Sequence, residues 1–244
     1  MDSGPPWLDG NGHGTHVAST MCGHMYGIVA CKYLCAVKVK VLDNTGSGLW
    51  SEVIAGIDFM AINYDNAKVT EPSLKCVANM SLGGGIFSTV HTAVNNAIQG
   101  GITFVVAAGS SLADACNFSP AAAEKAITVG AIDGNDTPTS FTNYGSCVDV
   151  YASGVSITLA YVDNTTTTKT ISGTSMTSPH TCALAAAALQ MGVADPEAHL
   201  KADASKKTID CRSQGTAGVY MSAPIRTVVP HVGRPVLLLS SPQE

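Results

Sequence analysis

Ile171-Ser172-Gly173-Thr174-Ser175-Met176-Thr177-Ser178-Pro179-His180 is the stretch from which the rest of the chain can be read. A glycine and small hydroxyl residues lead into Ser175, and an apolar run of alanines and leucines with good helical propensity follows from Thr181 to Met191. The pattern predicts a tight turn that sets Ser175 at the N-terminus of a largely buried helix. Such a place suits a nucleophile, because free N–H groups and the helix dipole favour a developing negative charge. A serine needs a general base to act near neutral pH, and histidine is the usual one. Far upstream, Asp9-Gly10-Asn11-Gly12-His13-Gly14-Thr15-His16-Val17-Ala18 sets His13 among glycines at another predicted helix start.

Between these two stretches, strands and helices alternate. Residues 33–42 are β-branched and alternating and read as a strand, followed by a turn at Asp43–Gly48. A helix is predicted over about 51–63, with Val53, Ile54, Ile57, Met60 and Ala61 on one face. Strands follow at 76–82, 102–108, 126–132 and 147–152, with a helix at 88–99, a hairpin at 155–171 and a last helix near 196–205. This order predicts an α/β fold with a mostly parallel sheet between helices, and a site at the carboxyl ends of the strands. Gly83, Gly109 and Ser175 all fall just beyond predicted strands or at helix starts.

Composition narrows the class. A chain of 244 residues with 13% charged residues and 24 glycines fits one α/β domain with many tight turns. The net charge of −5 gives no basic footprint, so no nucleic-acid partner is expected. No apolar run approaches the ~18 residues of a membrane span, so no membrane partner is expected either. The 8 cysteines include no C-x-x-C pair, and Cys31 and Cys35 stand without the second pair a zinc site needs. His13 and His16 lack a third ligand and the glutamate of H-E-x-x-H, which excludes a zinc-protease reading; His16 and His180 are expected in the core. No organic cofactor is expected. Met1 precedes the histidine motif by only a dozen residues, with no signal peptide between them.

Together, N-G-H-G-T-H-V-A at 11–18 and S-G-T-S-M-x-x-P-H at 172–180 resemble the subtilisin-like serine proteases, in their proteinase K and aqualysin branch. A-N-M-S-L-G-G-G at 78–85, A-A-G at 107–109 and S-F-T-N-Y-G-S-C at 140–147 extend the likeness, which runs from about Asp9 to Tyr220. The resemblance implies a subtilisin-like three-layer fold over 1–220, followed by an irregular tail at 221–244 containing Pro224, Pro230, Pro235 and Pro242. It also implies a serine endopeptidase of broad specificity, acting through an acyl-enzyme on Ser175 with His13 as general base. By the same resemblance the protein is expected to be extracellular and monomeric, and to take peptides or unfolded proteins as substrates.

The sequence departs from the family at two positions that matter. Family members carry the orienting aspartate in a D-[ST]-G motif after a first strand. Asp2-Ser3-Gly4 has those letters only eleven residues before His13, and no strand precedes it. The first strand is therefore expected to be missing, and Asp2 is either the orienting carboxylate or a chance match in a loop. At the oxyanion hole, expected from Ser110 and the Ser175 N–H, serine replaces the family's asparagine. In subtilisin itself, loss of an oxyanion-hole donor costs about 10²–10³ in turnover and loss of the orienting aspartate about 10⁴.

Other features carry over residue by residue. Gly46-Ser47-Gly48-Leu49 and Ser81-Leu82-Gly83 resemble the two segments that clamp a peptide as an added strand, and Ala108, Gly109 and Gly83 would border an open apolar primary pocket. Trp50 reads equally as a wall of a distant subsite or as core. Cys116 and Cys147 match an aqualysin-type disulfide, while Gly10 and Asn44 stand where the branch's other bridge would be. Asp149, with the carbonyls of Glu124 and Ala126, matches a proteinase K-type structural calcium site, and Asp149 reads equally as a surface strand residue. Sequons stand at Asn79, Asn117, Asn135 and Asn164. A lipase of the α/β-hydrolase class is excluded, because the histidine precedes the serine and G-x-S-x-G is absent. The competing reading is a catalytically impaired relic that at most binds peptides.

Overall fold

Alternation of side chains between two buried faces sets the layers. In a computed structural model, which describes residues 8–23, 25–29, 36–211, 216–220 and 236–240, the strand Cys76–Ser81 sends Cys76, Ala78 and Met80 to one face of a sheet and Val77 to the other. Ile102, Phe104 and Val106 oppose Val105 in the same way. Strands apolar on both faces belong in a sheet covered on both sides.

In chain order the elements are α1 (His13–Cys22), β1 (Ala36–Lys40), α2 (Trp50–Thr70), β2 (Cys76–Ser81), β3 (Gly84–Gly85), α3 (Ser88–Gln99) and β4 (Ile102–Ala107). There follow β5 (Phe118–Ser119), β6 (Ile127–Ile132), β7 (Val150–Ser153), β8 (Ile157–Ala160), β9 (Thr168–Ile171), α4 (Thr174–Gln190) and α5 (Pro196–Asp203). The last three are β10 (Ser205–Cys211), β11 (Thr216–Tyr220) and β12 (Val236–Ser240). Among the described residues the main sheet runs β1-β12-β2-β4-β6-β7-β11-β10, with only β10 antiparallel to its neighbour. On one face α2 and α3 bury Val53, Ile57, Met60, Val90 and Val94 against β2 and β4. On the other, α1, α4 and α5 bury Met21, Ala183, Ala186 and Leu200 against β4, β6 and β7. A side chain as fully enclosed as Phe104 or Ile102 contributes about 1.5–3 kcal/mol through burial. The three-layer expectation and the alternating element order hold.

The boundaries differ in places with identifiable causes. The helix expected over 51–63 runs on to Thr70, because Tyr64 remains buried, with its hydroxyl on the Leu74 carbonyl (3.3 Å). The strand expected from 147 begins at Val150, since Cys147 is held in a disulfide beside the Gly145 turn. Only 36–40 of the strand expected over 33–42 are strand, and residues 33–35 lie outside the described residues.

The largest correction concerns the tail. Expected to be irregular, it contributes β12, which lies in the interior of the sheet between β1 and β2 and parallel to both. The register pairs Ala36 with Val236 on one side and Ser81 with Ser240 on the other. A run of Val-Leu-Leu-Leu is apolar enough for a strand buried on both faces, and here it takes such an interior place. Pro224, Pro230, Pro235 and Pro242 lie outside the described residues.

Candidate active site

Ser175 is the second residue of α4, half-buried at the helix N-terminus. Pro179 lies inside the helix and has no N–H, so it cannot bond the carbonyl of Ser175 four residues back. Ser81, at the carboxyl end of β2, meets that need: its hydroxyl donates to the Ser175 carbonyl at 2.7 Å. The same oxygen accepts from Asn79 Nδ2 (2.9 Å) and contacts Ser178 Oγ (2.9 Å). Ser81 was expected as a clamp residue. It lines the cleft, but its side chain is fully buried and ties the serine turn to the sheet. The serine–proline spacing of four residues signals only that the Ser175 carbonyl lacks a helix donor, not which residue supplies one.

His13 opens α1. Gly12 before it has φ 97°, with the Tyr161 ring packed where a side chain would stand, so the turn requires glycine. Asp9 holds this helix start: Oδ1 accepts from the N–H of Gly12 (2.8 Å) and Asn11 (3.1 Å), and Oδ2 from the N–H and hydroxyl of Thr15 (both 2.7 Å). Burial raises the Asp9 pKa, but these hydrogen bonds outweigh it and leave the carboxyl below its usual range. Sequence reading missed this role. The β8–β9 hairpin braces the helix from the other side, through Tyr161 Oη to the Asn11 carbonyl (2.7 Å) and His16 Nε2 to the Ile157 (3.0 Å) and Lys169 (3.2 Å) carbonyls. Both partners of His16 Nε2 are acceptors, so that nitrogen carries the proton.

The imidazole of His13 is 2% exposed, and among the described residues neither ring nitrogen has a hydrogen-bond partner. Desolvation, reinforced by His16 and opposed by Asp9, lowers its pKa to about 3. The ring is therefore neutral near pH 7, burial opposes its protonation, and it makes no hydrogen bond to Ser175 in this conformation. Asp2 lies outside the described residues. His16 is fully buried and His180 half-buried; desolvation lowers the pKa of each, and His180 Nδ1 donates to the Met176 carbonyl at 2.7 Å.

Ser110 lies on the loop after β4, close to α4. Its hydroxyl accepts from the Thr174 N–H (3.2 Å) and pairs with Thr174 Oγ1 (3.2 Å), which in turn accepts from the Gly109 N–H (3.1 Å). Asn143, inside S-F-T-N-Y-G-S-C, shapes this loop. Its Oδ1 accepts from Ser111 (3.0 Å) and Ala113 (3.1 Å), and its Nδ2 donates to the Ala108 carbonyl (2.8 Å). Gly109 has φ 101° against that amide, which leaves no room for a side chain.

Gly46, Ser47, Gly48, Ser81, Leu82, Gly83, Ala108, Gly109, Ser110 and Ser175 line a single cleft of about 580 Å³, floored by alanines and flanked by Phe118. Trp50 takes both of its readings, packing on the core below and stacking on Phe87 at 6.3 Å along the cleft wall. His13 is not among the cleft-lining residues.

Cys116 and Cys147 are disulfide-bonded, and Asn44 lies against Gly10, so the two positions where the branch's second bridge would stand are neighbours. The groups expected to hold calcium do not fit it. The Lys201 ammonium donates to Asp149 Oδ1 (2.7 Å) and to Glu197 Oε1 (2.6 Å), while Asp149 Oδ2 accepts the Thr128 N–H (2.8 Å). A lysine ammonium thus sits on the Asp149 carboxylate, where a cation would be needed. Cys31 and Cys35 lie outside the described residues. No helix among the described residues is long and apolar enough to cross a membrane.

Comparison with known proteins bears on this geometry. The Peptidase_S8 description, Subtilase family, matches residues 2–216. "Subtilisin-like protease 2" of Pseudogymnoascus destructans is 48% identical over 190 residues, covering 78% of this chain and 45% of that protein. "Subtilisin-like serine protease Cur l 4.0101" of Cochliobolus lunatus is 42% identical over 227 residues, covering 90% of this chain and 44% of that protein. The chain thus spans a little under half the length of these relatives. The crystal structure of a cold-adapted subtilisin-like serine proteinase superposes with a TM-score of 0.79 at 42% identity, covering 89% of this chain and 76% of that one. With the sheet, the two helix starts and the glycine-lined cleft in place, the chain belongs to the subtilase family.

Proposed function

We propose that this chain is the core of a serine-type endopeptidase. The observation that carries the reading is the cleft, where Ser175 at a helix N-terminus faces two glycine-rich segments suited to an extended peptide. Gly46–Gly48 and Ser81–Gly83 take the peptide backbone as an added strand, and Ala108, Gly109 and Gly83 leave an open pocket for an apolar side chain. Ser175 Oγ attacks the scissile carbonyl and His13 takes its proton. The oxyanion is received by the Ser175 N–H, together with the Ser110 hydroxyl when Thr174 acts as donor in their pair. The proton then passes from His13 to the leaving amine, and water releases the acyl group. For this step the His13 ring must reach Ser175 from its present buried position. The protein acts outside the cell on unfolded or flexible polypeptide, as a monomer and without calcium at Asp149.

The second reading, a peptide-binding relic, is favoured by the two ring nitrogens of His13, which have no partner among the described residues. Labelling with a fluorophosphonate decides between them, with Ser175→Ala as control and far-ultraviolet circular dichroism to verify folding. Ser175-dependent labelling is expected; a folded chain that stays unlabelled is the relic.

A further inference from the structure

The four sequons stand in four different environments. Asn79 is fully buried in β2 with its Nδ2 committed to Ser81. Asn117 is exposed, but the hydroxyl two residues on belongs to Ser119, which is fully buried between the Phe87 N–H (2.7 Å) and His91 Nε2 (2.7 Å), and Pro120 follows. Asn135 is exposed, but Thr137 is turned to a different residue: its N–H donates to Asp133 Oδ1 at 3.0 Å, and Pro138 follows.

Asn164 differs from all three. It sits in the exposed turn between β8 and β9, and both the N–H and the hydroxyl of Thr166 donate to its Oδ1, each at 2.9 Å. Two donors on the amide oxygen draw electron density from Nδ2 and make its protons more acidic. The neighbours Thr165 and Thr167 are uncharged, and no proline follows.

We propose that Asn164 is the N-glycan acceptor of this protein, and that Asn79, Asn117 and Asn135 are not used in the folded chain. The donor is an oligosaccharide carried on a lipid diphosphate. Asn164 Nδ2 forms a bond to C1 of the first sugar, the C1–O bond to phosphate breaks, the lipid diphosphate leaves, and the amide proton passes to a base of the transferase. The assignment rests on the extracellular part of the proposed function, because the donor is met only on the export route. It is independent of catalysis.

The test is export of the chain from a eukaryotic host behind a host leader, in wild-type and Ser175→Ala forms. Glycosidase treatment in ¹⁸O water is followed by intact mass and peptide mapping. One downward mass step is expected in both forms, with the heavy-oxygen label on residue 164 alone. Asn164→Gln and Thr166→Ala abolish the step, Thr166→Ser keeps it, and Asn135→Gln leaves it unchanged. A folded, exported chain with unmodified Asn164, or with its label on Asn79, Asn117 or Asn135 instead, overturns the proposal. Normal glycosylation here, with a native protein retained inside its source cells, sinks the extracellular reading alone.

Discussion

The imidazole of His13 is neutral in the folded chain because water is excluded from it, and this has a consequence for acid stability. Its pKa is about 3 folded and about 6.5 in the unfolded chain. The stability this neutral ring permits is therefore present in full above pH 6.5 and is lost as the pH falls from there towards 3, at about 1.4 kcal/mol per pH unit. His13→Leu removes this proton uptake, and an apolar group suits a pocket that offers no partner. Thermal melts from pH 7 to 4 are expected to show a shallower acid decline in the variant, with a residual slope from His16 and His180, both also lowered by burial. Superimposable slopes would refute this. A different residue-level effect is expected at Ser81. Ser81→Ala strips the Ser175 carbonyl of its donor and Asn79 Nδ2 of its acceptor, at about 1–3 kcal/mol by chemical denaturation. It should also slow fluorophosphonate labelling. The helix-start positions of His13 and Ser175 were legible in the sequence because glycines and helix-forming runs mark their turns. Ser81's engagement depends on β2 and α4 meeting in space, and no local pattern reports that meeting.

Among the elements, α1 depends on a carboxylate outside it. Asp9→Ala leaves the N–H groups of Gly12 and Thr15 without their acceptor, and should cost about 1–2 kcal/mol. Asp9→Asn should recover part of the loss, and labelling of Ser175 should fall with the helix start in the alanine variant. Equal melting of the alanine variant and the parent would show that α1 is held by the β8–β9 hairpin alone. On the same face of the sheet, α5 delivers Lys201 to Asp149. Burial lowers the lysine's pKa, but its bonds to Asp149 and Glu197 outweigh this and leave it raised, so the ammonium persists. Adding a chelator is expected to leave the melting temperature unchanged, and a drop of several degrees would restore the calcium reading. Asp149 was visible in the sequence as a candidate ligand. Its partner in the structure is a lysine on an element far along the chain, and only the folded position of α5 beside α4 discloses it.

Over the whole molecule, the alternation of strands and helices was readable because each element buries a regular face. The position of β12 was not, since an apolar run of four residues after a proline-rich stretch says nothing of which strands it joins. Its backbone is bonded on both sides, to β1 and to β2. Leu238→Pro removes one ladder N–H in the interior of the sheet and is expected to cost about 3 kcal/mol or more. Hydrogen exchange should then show lost protection in β1 and β2 together. Unchanged exchange in both strands would place β12 outside the sheet.

The same strand fixes the order in which the molecule can be made. Synthesis delivers β1 and β2 early and β12 long afterwards, so the register pair Ala36 and Val236 closes a very long loop. Until then the nascent chain presents two unpaired parallel edges in what will be the interior, and contacts of such high sequence separation form slowly. Folding before that point is therefore confined to fragments, and the sheet closes only once β12 has left the ribosome. In the interval those two edges are open to pairing with other strands, the hazard that unpaired edges carry during folding.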